Sequence, residues 1–173
     1  MPVSEILSGG DPRSLGKTEE VVQSVLAKQS KLGELFECLW SNDEIVRMRA
    51  SDALEKICRH QPQWFAVYKY RLLKDVPKIR QPSVQWHLAQ ILGEVRLSDK
   101  EQKEANTILK NNLATMDDWI VTNLTLKTLA SFARTNKFPK KELLEILKQY
   151  KNDKHKSIVS RTKKLLDEFD MME

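Results

Sequence analysis

The residue types that most often perform chemistry are few in this chain and widely separated. The three histidines, His60, His87 and His155, lie in different parts of the sequence, whereas a metal site needs ligands that converge. Cys58 and His60 are two positions apart on a predicted helix, a spacing that points their side chains in different directions. The sequence has no glycine-rich phosphate loop, HExxH motif or nucleophile elbow. We therefore predict no catalytic residues, no metal and no cofactor, and hence a protein that is not an enzyme.

The two cysteines, Cys38 and Cys58, form neither a CxxC pair nor a disulfide framework. Both fall in predicted helices, where reduced thiols behave as small apolar side chains. The N-terminal sequence lacks the basic flank and apolar core of a secretory signal. No apolar stretch approaches the roughly 18 residues that a membrane span requires. These features predict a cytoplasmic protein with no membrane partner.

A motif that returns every 37 or 38 residues predicts the elements that would position any binding residue. Three apolar positions recur in four copies: Val46, Val84, Val121 and Ile158; Leu54, Leu92, Leu129 and Leu166; and Ile57, Val95, Phe132 and Phe169. A fixed period of this size is typical of a solenoid. We expect the first two columns to be buried.

The composition favours an all-α fold, because glycine and proline are scarce and leucine, lysine, glutamate and alanine are plentiful. Helical spacing predicts four antiparallel pairs: about 19–40 with 43–59, 62–75 with 82–96, 99–113 with 117–134, and 139–150 with 154–169. The four repeats span about 19–59, 62–96, 99–134 and 139–169. Residues 1–17 contain Gly9-Gly10 and no helical periodicity, which predicts a flexible N-terminal tail. Residues 18–173 are expected to form a single repeat domain.

Helix start signals fall where the period requires them. Ser41 and Glu44 have the spacing of a capping box, as do Ser98 and Glu101. Pro82 falls in the first turn of the second repeat's inner helix, where its missing N–H is harmless.

The pattern Asp43-x-x-Val46-Arg47-x-x-Ala50-x-x-Ala53-Leu54 resembles the second-helix consensus of the HEAT-repeat family, part of the armadillo-like superhelix group. Later copies are degenerate, and none keeps the arginine of Arg47. The resemblance implies a right-handed α-α superhelix, an alpha solenoid, whose second helices line a concave face. Tetratricopeptide repeats are the competing fold, but their 34-residue period and Trp/Leu-Gly/Tyr pattern are missing. Arg47 is expected to bond Asp43 or Gln81 and so to hold neighbouring repeats in register.

Helical geometry places one strip of residues opposite the apolar columns, on the predicted concave face. Its candidate partner-binding residues are Met48, Trp86, Gly93, Leu97, Lys127 and Arg134. Tryptophan and arginine dominate binding hot spots, and exposed apolar patches mark interaction sites. In the alternative interpretation, the N-terminal tail or the first helix covers Trp86. Trp40, Trp64 and Trp119 fall at helix ends and are interpreted as structural.

Two segments are basic, with net charges of +4 for residues 41–80 and +5 for residues 121–173. The last helix pair carries a lysine run: Lys137, Lys140, Lys141, Lys148, Lys151, Lys154 and Lys156. Such a run suits either the solvated polar cap of a repeat array or the binding of an anionic partner.

Two classes of function remain open. The leading hypothesis is a non-enzymatic scaffold that binds a peptide or helix of another protein, possibly an acidic one, on the concave face. The alternative is a nucleic-acid-binding or DNA-repair protein, because alkylpurine DNA glycosylases are similar HEAT-like superhelices with an acid, a tryptophan and an arginine on a basic concave face. That resemblance would assign these parts to Asp52, Trp86 and Arg134.

Overall fold

The structure is a computed structural model that describes residues 1–171. Within that range the chain forms helices and no β-strand, which confirms the all-α prediction. The chain groups into two compact units, Met1–Arg96 (unit 1) and Leu97–Glu173 (unit 2). The division follows Val95, where the backbone leaves the helix and becomes extended, with φ −74° and ψ 144°.

Unit 1 contains six α-helices joined by short 3₁₀ segments. The α-helices are α1 (Val3–Leu7), α2 (Thr18–Ala27), α3 (Leu32–Glu37), α4 (Glu44–His60), α5 (Lys69–Lys74) and α6 (Pro82–Glu94). The 3₁₀ segments are Gln29–Lys31, Cys38–Trp40, Pro62–Tyr68 and Val76–Lys78. Asp43 caps α4 by accepting a hydrogen bond from the amide of Ile45 at 2.8 Å. The expected capping box of Ser41 and Glu44 is therefore replaced by a cap that lies one residue before the helix.

The segment expected to be a flexible tail is packed in the structure. Val3 and Leu7 of α1 are buried. Arg49 of α4 is 1 % exposed, and its guanidinium donates hydrogen bonds to four carbonyl oxygens of this segment. Those carbonyls belong to Leu7 at 2.7 Å, Gly9 at 2.6 Å, Asp11 at 3.0 Å and Ser14 at 3.0 Å. A buried cation must satisfy its donors, so the segment is bound to α4.

Arg47 connects the first two helix pairs of unit 1. Its Nε donates to the side-chain oxygen of Gln81 at 2.7 Å, and Nη1 donates to the Ser41 carbonyl at 2.7 Å. Of the two partners that the sequence left open, the structure therefore selects Gln81.

The predicted helix over residues 62–75 is a 3₁₀ segment followed by the short helix α5. The run from Trp64 to Tyr68 contains three aromatic residues and one valine, all with weak α-helix propensity. Tyr68 stacks on Phe36 of α3 with ring centroids 4.4 Å apart. Packing of these rings accompanies the tighter local winding.

Unit 2 contains four α-helices: α7 (Asp99–Thr115), α8 (Trp119–Arg134), α9 (Lys140–Gln149) and α10 (Lys156–Asp170). The capping box of Ser98 and Glu101 is present at the start of α7. Asp118 caps α8 by accepting from the amides of Ile120 and Val121, both at 2.9 Å. α8 ends at Arg134. Two residues later Asn136 has a φ of 58°, in the left-handed region, and the amide of Lys137 donates to the Phe132 carbonyl at 2.8 Å.

The first two apolar columns of the repeat are buried, as predicted, and the third is buried as well. All twelve column residues are at most 7 % exposed: Val46, Val84, Val121, Ile158, Leu54, Leu92, Leu129, Leu166, Ile57, Val95, Phe132 and Phe169. Within each repeat the three column positions share one helix face, because residues eight and eleven positions after the first return to that face. In the part of the chain that the structure describes, no helix has both the length and the apolar content to cross a membrane.

Candidate functional site

Three residues of the predicted binding strip, Met48, Trp86 and Gly93, lie in unit 1. Met48 and Trp86 are half-buried, and Gly93 is exposed. The indole Nε1 of Trp86 donates to Nε2 of His87 at 3.2 Å, which fixes the ring beside α6. Trp86 therefore presents only part of its ring to solvent.

A polar network lies behind Trp86, between α4 and α6. The hydroxyl of Ser51 lies 2.9 Å from Nδ1 of His87, and that nitrogen lies 2.7 Å from the carbonyl oxygen of Ser83. A carbonyl can only accept, so Nδ1 of His87 carries the proton and Nε2 accepts from Trp86. Ser51 is 2 % exposed and donates to the Met48 carbonyl at 2.8 Å. This is the geometry of a satisfied buried network and not that of a nucleophile with its base.

Asp52 is the acidic member of this network. Its Oδ1 lies 3.5 Å from Nε2 of His87, and its Oδ2 meets the Lys56 ammonium at 3.0 Å without an aligned hydrogen bond. Burial raises the pKa of Asp52, but the neighbouring His87 and Lys56 side chains lower it by more, so the net shift is downward. The carboxylate is therefore ionised and already engaged by two cationic or polar neighbours.

The other three strip residues, Leu97, Lys127 and Arg134, lie in unit 2. Leu97 is half-buried and Lys127 is exposed. Arg134 is held by Glu168 of α10 through a bidentate pair with distances of 2.5 and 2.8 Å. The carboxylate of Glu168 raises the pKa of Arg134, and the Arg134 guanidinium lowers the pKa of Glu168. Arg134 is thus an internal partner of α10 as well as a surface cation.

A groove of about 460 Å³ runs along α8 and α10 inside unit 2. It is lined by Asn123, Arg134, Ser157, Ser160, Arg161, Lys164, Leu165 and Glu168. Arg161 donates to the side-chain oxygen of Asn123, and burial lowers the pKa of its guanidinium. The groove walls therefore carry three cations and one carboxylate, so an acidic group would be favoured there.

Three large exposed apolar side chains whose surface role the sequence interpretation missed lie in unit 1. We call Trp40, Val67 and Tyr70 the aromatic patch; their exposures are 38 %, 82 % and 71 %. Trp40 had been interpreted as a structural residue. Val67 and Tyr70 are three positions apart, a spacing that aligns side chains along a tightly wound helix. Large apolar residues recur at positions 64, 67 and 70, and this recurrence is the sequence feature that could have predicted the patch.

Arg71 holds one member of the aromatic patch, Trp40. Its guanidinium lies 4.2 Å from the ring centroid of Trp40 and 5.0 Å from that of Phe36. Glu37 pairs with Arg71 and raises the pKa of its guanidinium. Cation–π contacts and this ion pair hold Trp40 in place while part of its ring stays exposed.

The cysteines are buried thiols. Burial, followed by the charges of neighbouring glutamates, raises the pKa of Cys38 to about 11 and that of Cys58 to about 12. Neither residue has the lowered pKa of a nucleophilic cysteine. Within residues 1–171, no group of three or more histidine, cysteine, aspartate or glutamate side chains is arranged to hold a metal ion.

Trp119, the other tryptophan at a helix start, is 45 % exposed and stacks on His155 with ring centroids 6.2 Å apart. Asp153 accepts from the backbone amide of His155 at 2.8 Å and contacts its ring at 3.0 Å. This contact fits the structural role that the sequence predicted for Trp119, since it joins the starts of α8 and α10.

Comparison with models of protein families, with curated proteins and with solved structures finds no match to this chain.

Proposed function

We propose that the chain is a non-enzymatic protein-interaction module built from HEAT-like helix pairs, and that its aromatic patch is the main docking surface. The four-fold recurrence of buried apolar columns supports the repeat architecture. The observation that carries the binding proposal is the exposure of Val67 and Tyr70, at 82 % and 71 %. Val67 and Tyr70 are three positions apart, and neighbouring large apolar side chains exposed on a folded protein tend to mark interaction sites.

The chemistry of the partner follows from the charge around the patch. Residues 69–80 carry five basic side chains and one acidic one. Arg71 and Lys78 are partly neutralised by Glu37 and Asp75. The surroundings nevertheless stay positive, so the partner segment should combine apolar anchors with acidic residues.

The strip predicted from the sequence supplies a second surface for the same function. In unit 2, Lys127 is exposed, and Lys164 of the α8–α10 groove is also exposed. In unit 1, Trp86 offers only part of its ring. The aromatic patch exposes more apolar area on unit 1 than the strip does, so it is the preferred anchor.

Nucleic-acid binding has less support from the contacts. The acid and the arginine that a glycosylase-like site would use are both occupied: Asp52 by His87 and Lys56, and Arg134 by Glu168. Binding to phosphates would also weaken steeply with salt, whereas binding through an apolar patch would not.

The test compares partner recovery from the native cell by the full chain and two variants. Val67→Ser combined with Tyr70→Ser should weaken partner binding by about 2 kcal/mol or more, because it removes the apolar anchors. Leu15→Ser is the matched control, because it removes a 45 % exposed apolar side chain elsewhere in unit 1. The recovered partner should remain bound at raised salt. Undiminished recovery by the Val67/Tyr70 variant would exclude the patch, and recovery of nucleic acid that is lost at raised salt would favour the other class.

A further inference from the structure

A basic pocket of about 540 Å³ lies in unit 2, where α7 faces the loop before α9. Its polar lining consists of Lys103, Asn106, Thr107 and Lys110 from α7, Asn136 and Lys137 from the loop, and Lys140 and Glu142 from α9. The four α7 positions follow the three- and four-residue spacing of a single helix face. Neither the interaction surfaces described above nor the fold itself requires this arrangement.

The walls of the pocket are held in place by backbone geometry. Asn136 adopts φ 58°, and the amides of Asn136 and Lys137 return to the last turn of α8. The side-chain amide of Asn106 donates to the Lys137 carbonyl at 2.9 Å, which ties the loop to α7. The loop that carries Lys137 is therefore positioned by both neighbouring helices.

The charge of the pocket is strongly positive. Lys110 pairs with Glu142 at 2.8 Å, and Glu142 is the one carboxylate in the lining. The lining therefore carries four lysines and one carboxylate, a net charge of +3 that favours an anion.

The start of α9 adds donors to the same pocket. Pro139 is the N-cap and offers no side-chain cap, and the first backbone hydrogen bond runs from the amide of Leu143 to the Pro139 carbonyl. The amides of Lys140, Lys141 and Glu142 therefore have no acceptor in the helix. Amides of this kind, together with the helix dipole, stabilise a negative group that binds between the lysines.

We propose that this pocket binds an oligophosphate, either as an inorganic chain or as the phosphate tail of a nucleotide. Lys103 and Lys110 are seven residues apart, which separates their origins by about 10 Å along α7. A chain of two or three phosphates spans this length and can contact both lysines and the start of α9 at the same time. The volume lies within the range of small-ligand sites, about 300–1,000 Å³.

The test is a calorimetric titration of the full chain with inorganic tripolyphosphate at low salt. The variant Lys103→Gln with Lys140→Gln should weaken binding by about tenfold, because each lysine contributes a modest electrostatic share. The control Lys148→Gln with Lys163→Gln removes the same charge from exposed positions outside this pocket. It should leave the affinity within about twofold of the starting protein.

Two further titrations decide which ligand the pocket binds. Orthophosphate should bind far more weakly than tripolyphosphate, and equal binding would overturn the assignment of an oligophosphate. Adenosine triphosphate should depend on the same two lysines; tighter binding than tripolyphosphate would identify a nucleotide, and equal or weaker binding would identify the phosphate chain alone. An equal loss of affinity in the pocket variant and the control would show that binding depends only on net charge, and it would overturn the proposal. The absence of any heat of binding would overturn it too.

Discussion

Arg49 is a buried cation whose hydrogen bonds all go to backbone carbonyls. Its four acceptors span Leu7 to Ser14, and the backbone of Gly16 lies against the flat face of its guanidinium. A Cβ at position 16 would lie 2.9 Å from Cζ of Arg49. The guanidinium cannot move away without breaking these hydrogen bonds, so position 16 has no room for a Cβ atom.

Gly16→Ala should therefore destabilise the protein more than Gly9→Ala. Both glycines have positive φ, +52° and +68°, but a Cβ at Gly9 meets nothing within 4 Å. We expect Gly9→Ala to cost about 1 kcal/mol and Gly16→Ala about 3 kcal/mol, because only the second adds a steric clash to the backbone strain. Urea unfolding measures both values. Equal losses would show that Arg49 yields freely and that the N-terminal segment is loosely held.

The thiols provide a second prediction at the residue scale. With pKa values of about 11 for Cys38 and about 12 for Cys58, few thiolates form in the folded protein at pH 8. Iodoacetamide should label the native protein far more slowly than the unfolded protein, and Cys38 before Cys58. Folding raises these pKa values above the ordinary 9.0, so the protonated thiols stabilise the folded state. This contribution to the free energy of unfolding is complete below pH 9 and is lost as the pH rises through 11 and 12. Peptide mass spectrometry gives the labelling order, and rapid labelling of native Cys58 would contradict the burial.

At the scale of the element, the start of α8 depends on one side chain. The carboxylate of Asp118 accepts from two amides of the first turn, whereas the neighbouring Asp117 has a side chain that is 93 % exposed and pairs loosely with Lys154 at 3.7 Å. Asp118→Ala should lower the free energy of unfolding by about 1 kcal/mol, because two amides lose their acceptor. Asp117→Ala should change it by less than about 0.5 kcal/mol. Thermal unfolding of the two variants makes the comparison, and a larger effect at Asp117 would show that charge and not capping starts the helix.

At the scale of the whole molecule, the two compact units imply two regions of cooperative unfolding. Leu92 of α6 is fully buried, and Leu92→Ala should cost about 2–5 kcal/mol through lost burial and a cavity. Hydrogen exchange should accelerate at the protected amides of α2, α4 and α6 and stay unchanged at those of α8 and α10. Leu97→Ala, which truncates a half-buried leucine, should produce a smaller effect. Equal acceleration in both units would indicate one array in which stability passes from repeat to repeat.

Short-range patterns in the chain were sufficient to predict the helices and the faces that they bury. Helix periodicity, caps such as Asp118 and Ser98, and the apolar columns depend on residues within a few positions of one another. Arg47 and its partner Gln81 could also be anticipated, because the period sets them one repeat apart. The outward strip was placed by the same geometry, but Arg134 is bound by Glu168, which the pattern of one helix could not reveal.

The tertiary structure alone decided which polar groups meet across long stretches of chain. Arg49 reaches carbonyls that lie 35 to 42 positions earlier, so a segment without helical periodicity is nevertheless ordered. The exposure of Val67 and Tyr70 depends on where the 3₁₀ segment turns. The basic pocket exists because a left-handed residue at Asn136 directs the loop against α7. Contacts of this kind join residues that share no local pattern, and their energies arise only when folding brings the chain together.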